Sequence, residues 1–111
     1  MDSMNTIGID LVYIPGFQKR LDMSGGLGAI FTDGELQQNL RLESLAGVFG
    51  AKEAFMKAIG KKIDWHDVWV EKLENGKPII ASPHVPIHQK ADVSISHDGD
   101  YAIATVVLFK L

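Results

Sequence analysis

The sequence has no cysteine in its 111 residues. That absence excludes a disulfide scaffold, a thiolate zinc site and a cysteine nucleophile. There is no basic excess either: 11 lysines and arginines against 14 aspartates and glutamates give a formal net charge of −3. Nucleic-acid binders usually carry such an excess, so no nucleic-acid partner is expected. No apolar run approaches the ~20 residues needed to span a bilayer. Met1-Asp2-Ser3-Met4-Asn5 lacks the basic and apolar regions of a secretory leader. No membrane partner is therefore expected, and the expected location is cytoplasmic. What is present is ordinary for a globular protein, with 46% hydrophobic and 23% charged residues. The length suits one domain over 1–111.

The pattern of elements predicts an α+β fold with an antiparallel sheet packed against helices. Ile7, Ile9 and Leu11 alternate with Gly8, Asp10 and Val12, which is strand spacing. Pro15 suits the first turn of a helix running to about Met23, and Ser24-Gly25-Gly26-Leu27-Gly28 breaks the chain into a loop. Thr32 and Glu35 have capping-box spacing, which predicts a helix to about residue 42. A second helix is expected from Ser44 to Ile59, with Gly60 as its left-handed cap. Strands follow over 68–73 and 78–81 around Asn75-Gly76, a strong hairpin signal. Pro83 and Pro86 make 82–89 irregular. A last hairpin pairs Asp92–Ser96 with Tyr101–Phe109 around a turn at His97–Asp100.

The helix after Ser44 carries the most chemical information. At about 100° per residue, Leu45, Val48, Phe49, Phe55, Met56 and Ile59 fall on one broad arc, and Lys52 and Glu53 fall inside it. An unpaired charge on an apolar stripe is costly. Pairing of Glu53 with Lys57 one turn on is the plain explanation. Asp10 adds a second inward carboxylate, in a strand where aspartate is depleted. Two carboxylates on separate elements suit a hard cation, and magnesium is typically held by one or two carboxylates plus substrate phosphate oxygens. Near such an ion, Lys52 and Lys57 could neutralise phosphate charge. Ser96, His97 and Asp98 are no triad, because neighbouring strand residues point to opposite faces.

Gly8-Ile9-Asp10, the run Phe49-Gly50-Ala51-Lys52-Glu53-Ala54-Phe55-Met56-Lys57-Ala58-Ile59-Gly60, Asn75-Gly76-Lys77-Pro78, and Val93-Ser94-Ile95-Ser96-His97 with Tyr101-Ala102-Ile103-Ala104 occur in that order. Together they resemble the holo-acyl-carrier-protein synthase family of small 4′-phosphopantetheinyl transferases, over about residues 6–109. The resemblance implies a 4′-phosphopantetheinyl transferase fold of half-size type. It implies transfer of phosphopantetheine from coenzyme A to a serine of an apo acyl carrier protein, in lipid metabolism such as fatty acid biosynthesis, with adenosine 3′,5′-bisphosphate released. Asp10 and Glu53 would hold Mg2+, and Glu53 and Lys57 would be the catalytic residues. Lys52, Lys57, Asn75, Gly76, Lys77, Pro78, Ser94, Ser96 and His97 would bind coenzyme A. The base stays open among metal-bound water, Asp33 and Glu53. The alternative is a non-catalytic relative that binds coenzyme A or a carrier protein.

The half-size unit implies a homotrimer with sites at subunit interfaces, one subunit giving Asp10 and Glu53 and the next giving turn or strand residues. Four departures stand out, one being a stretch between Asp10 and Glu53 that is shorter than usual. Val48 occupies a position where the family often has arginine. The first helix carries only Lys19 and Arg20. Residues 82–89 hold two prolines where a short helix is common.

Overall fold

The computed structural model describes residues 5–111. The leader reading of Met1–Met4 lies outside them. In chain order the elements are strand β1 (Thr6–Tyr13), helix α1 (Ile14–Met23), the one-turn helix α2 (Asp33–Leu36), the long helix α3 (Leu42–Ile59), strands β2 (Trp69–Lys72) and β3 (Pro78–Ala81), and strands β4 (Gln89–Asp98) and β5 (Tyr101–Lys110). β1, β5 and β4 form an antiparallel sheet in that order, and β2 and β3 form a separate hairpin. The expected α+β class holds.

Helix α3 is the axle of the fold. Nearly every residue from Leu45 to Ala58 is buried, the exceptions being Glu53 and Lys57. Its small residues explain how a helix can be enclosed on most sides. A Cβ on Gly8 would collide with the Ala54 carbonyl and stand 2.9 Å from the Ala58 nitrogen, so β1 lies directly on the helix backbone. A Cβ on Gly47 would stand 2.6 Å from Ile95 Cγ2. Gly60, at φ 76°, ends the helix, and its N–H donates to the Met56 carbonyl.

This close approach decides which face of β1 is inside. Gly8, Asp10 and Val12 face α3, while the aliphatic residues face away: Ile7, Ile9 and Leu11 are 67%, 54% and 63% exposed. Tyr13, Tyr101 and Ile103 continue that exposed apolar surface.

Two expectations are corrected. The helix after Thr32 ends at Leu36, not near residue 42. Its capping box forms with both bonds, but Asn39 turns left-handed at φ 55° and the chain restarts as α3. His97 and Asp98 belong to β4, and the turn is Gly99-Asp100, with Gly99 at φ 57°. Positive φ at the first of two loop positions is what a tight hairpin asks of glycine.

Candidate active site

Asp10 and Glu53 line one open groove of about 370 Å³, together with Tyr13, Gly16, Arg20 and Phe49. Backbone geometry puts them there. Gly50, Glu53 and Lys57 fall within about 60° of each other on α3. Asp10 Oδ2 stands 3.8 Å from where a Gly50 Cβ would be, and Asp10 Oδ1 is 3.2 Å from Lys57 Nζ. The Asp10 carboxylate thus spans the helix stripe that carries Glu53. Lys57 also donates to the Ile9 carbonyl at 2.8 Å. The plain pairing of Glu53 with Lys57 is not what forms. Glu53, half-buried, has no hydrogen-bond or ion-pair partner among the described residues.

This donor set fits a hard divalent cation. Both donors are carboxylates, and they come from separate elements. No cluster of three or more metal-ligating side chains occurs among the described residues. The remaining ligands would have to come from substrate and water, as is usual for magnesium.

Lys52 is corrected. It is 0% exposed and lies in the interior, lining neither the acidic groove nor the hairpin cavity. Its ammonium is 2.7 Å from Glu35 Oε1 and donates to the carbonyls of Ile30 (2.8 Å) and Trp65 (3.0 Å). Burial pulls Lys52 below the usual lysine range, and the Glu35 carboxylate opposes that pull. Glu35 also accepts from the backbone N–H of Thr32 and Val70. This pair staples α2 and β2 to α3. Nothing local in the sequence marked Glu35 as more than a capping residue.

The remaining predicted residues divide between two other places. Gly76, Pro78 and His97 line a second cavity of about 180 Å³, with Lys72, Val48 and Gln38. Val48 and Glu53 lie roughly 140° apart around α3, so this cavity opens on another side of the helix. Asn75 accepts from the Lys77 N–H and shapes the turn, while the Lys77 ammonium pairs with Asp92 at 3.0 Å. Ser94 and Ser96 are exposed on alternate positions to Val93 and Ile95, on the sheet face away from α3. They do not converge with the second cavity. Asp33, one of the candidate bases, lines a separate depression with Thr32 and His66.

The sequence reading missed the aromatic pair behind Arg20, of which Phe49 lines the groove. Phe49 and Trp65 stack at 5.3 Å, and the Arg20 guanidinium lies 5.2 Å and 5.9 Å from their ring centres. Phe49 stands one turn before Glu53, which was the available signal; Trp65 is placed only by the chain reversal after Gly60.

A profile of the 4′-phosphopantetheinyl transferase superfamily, the ACPS type, matches residues 6–106. The chain belongs to that superfamily and is a phosphopantetheinyl transferase. It is 39% identical to the holo-[acyl-carrier-protein] synthase of Halalkalibacterium halodurans over 94% of both chains. Among solved structures it is similar to a Bacillus anthracis holo-(acyl-carrier-protein) synthase in complex with CoA (3′,5′-ADP), at 32% identity and TM-score 0.82 over 96% of each chain. It is also similar to the Helicobacter pylori synthase in complex with coenzyme A, at 31% identity and TM-score 0.81 over 93% of this chain and 99% of that one. The transferase fold here therefore carries the acidic groove on one side of α3 and the hairpin cavity on another. No helix among its described residues is long and apolar enough to cross a membrane.

Proposed function

We propose that this transferase moves the 4′-phosphopantetheine arm of coenzyme A to a serine hydroxyl of an apo acyl carrier protein. The serine oxygen bonds to the phosphorus bearing the pantetheine arm. The pyrophosphate P–O bond breaks, and adenosine 3′,5′-bisphosphate leaves. The observation that carries this reading is the meeting of Asp10 and Glu53 in one groove with Lys57 at its edge.

Phosphoryl transfer asks a protein mainly for positioning and charge neutralisation. Asp10 and Glu53 would hold Mg2+, which when bound supplies Lewis-acid charge at the pyrophosphate oxygens. Lys57 is held against β1 and presents its ammonium to the departing phosphate. Glu53, unpaired in the groove, is the better placed of the two side-chain base candidates to take the serine proton. Asp33 stands in a different depression. No protein nucleophile is needed, because the attacking hydroxyl belongs to the carrier.

Gly76, Pro78 and His97 would receive the nucleotide end. On one chain their cavity faces away from Asp10 and Glu53, which supports a site completed by a second copy. The exposed apolar strip of Ile7, Ile9, Leu11 and Ile103 supports the same reading, since contiguous apolar surface marks an interface. The assembly we propose is a homotrimer with three shared sites, acting in the cytoplasm in fatty acid biosynthesis.

Mass spectrometry of apo carrier proteins incubated with this protein, coenzyme A and Mg2+ tests the reaction. A gain of ~340 Da, the mass of the arm joined through phosphoryl transfer, is expected. Coenzyme A binding with no gain on any carrier would favour a non-catalytic binding relative.

A further inference from the structure

The Arg20 guanidinium is the cation of the acidic groove that the proposed reaction has not used. It lines the groove with Asp10 and Glu53, yet it pairs with neither carboxylate. It lies instead over Phe49 and Trp65, at 5.2 Å and 5.9 Å from the ring centres. Such a cation–π contact steers the exposed guanidinium while leaving N–H donors at its edge free. An arginine held this way is prepared for a bidentate anion and loses little freedom on meeting one.

Its place along α3 narrows the role. Phe49, Glu53 and Lys57 follow one another at single-turn spacing, about 5–6 Å apart along the axis. Arg20 over Phe49 and Lys57 therefore bracket Glu53 from opposite ends. Charge balance favours a phosphate occupant between them. A divalent ion would offset Asp10 and Glu53, and Lys57 and Arg20 would then offset the two charges of a pyrophosphate. In-line transfer also has two ends, one for the leaving group and one for the incoming hydroxyl.

We infer that Arg20 is a binding residue for the phosphoryl group being transferred, gripping its non-bridging oxygens at the end of the groove opposite Lys57. This rests on the proposed function for the identity of the substrate. It adds a contact on α1 that the sequence motifs did not contain.

The test is titration calorimetry of coenzyme A with Mg2+ and no carrier protein, on the unsubstituted chain, Arg20→Ala and Arg20→Lys. Carrier KM is measured alongside at saturating coenzyme A, and melting temperatures establish that each variant folds. Arg20→Ala is expected to bind coenzyme A about 10- to 100-fold more weakly, the worth of a charge-assisted contact. Arg20→Lys should recover only part of that loss, and carrier KM should change less than about threefold. Unchanged coenzyme A affinity with a raised carrier KM would overturn the inference and make Arg20 a carrier contact. Unchanged values for both would overturn it as well. If the unsubstituted chain itself takes up no coenzyme A, the proposed function falls first. If it binds coenzyme A but transfers nothing, only the reaction falls, and the affinity comparison still decides the Arg20 contact.

Discussion

Lys57 Nζ lies 3.2 Å from Asp10 Oδ1, joining helix α3 to strand β1 across 47 positions of sequence. The same ammonium donates to the Ile9 carbonyl, so one side chain both ties two elements and sets the charge at the groove. The side chain is 54% exposed, which makes the tie a small contributor to stability. Its larger consequence is for chemistry. Lys57→Met should lower kcat by about 10²- to 10³-fold, the usual cost of one preorganised charge contact. Steady-state transfer assays check this, and a melting temperature within a few degrees of the parent would separate chemistry from folding.

Glu53 has no partner to lose. Glu53→Gln keeps the shape of the side chain and removes only its charge. The fold should be unaffected, and transfer should fall to background. Chelation with EDTA should likewise stop transfer by the parent chain, and added Mg2+ should restore it. Parent-like transfer in Glu53→Gln, or in EDTA, would sink the metal role of the pair.

The exposed aliphatic face of β1 makes a separate prediction. Ile9 is 54% exposed and forms no part of the core. Ile9→Glu should leave each chain folded but, if the proposed trimer forms through this face, place charge in its interface, where an unpaired buried charge is costly. Light scattering should then show a smaller particle than the parent. Mixing Glu53→Gln with His97→Ala chains should recover activity if each site draws on two copies. No recovery between chains shown to exchange would argue for self-contained sites.

The Lys52–Glu35 pair predicts a stability effect without a binding effect. Removing one member of a buried pair strands the other, at about 3–5 kcal/mol. Lys52→Met should lose that much in urea unfolding. The double variant Lys52→Met/Glu35→Gln should lose less, because the amide still accepts from Val70 or Thr32 without a stranded charge. In conditions where Lys52→Met is folded, its coenzyme A affinity should match the parent.

At the surface, the hydrogen bond from Lys77 at 3.0 Å holds the Asp92 carboxyl below the usual carboxylate range. A depressed folded pKa contributes stability above the unfolded value and loses it as pH falls through the folded one. Asp92 is half exposed, so the effect is at most about 1 kcal/mol. Asp92→Asn should be slightly less stable at pH 7 and equal to the parent by about pH 2–3. Thermal melts across that range, with and without 1 M salt, check the sign.

Local rules accounted for the ends of elements. Pro15 in the first turn of α1, the Thr32–Glu35 box and the left-handed Gly60 each act within a few residues, so the sequence displays them directly. The same rules failed where a local signal had a competitor. A capping box fixes where α2 starts but not how long it runs, and Asn39 stops it after one turn. The turn expected over His97–Asp100 starts two residues later, because Gly99, not His97, supplies the positive φ.

The sequence alone determined the α+β class, the two hairpins and the carboxylates Asp10 and Glu53, because periodicity and motif order are properties of the chain read in one dimension. Only the tertiary structure decided that Lys52 is a buried partner of Glu35, that Lys57 answers Asp10, and that Arg20 stacks at the groove. Those pairings join residues 17 to 47 positions apart. They exist because close packing of Gly8 against α3 and the reversal after Gly60 bring distant segments to one helix, which no local pattern encodes.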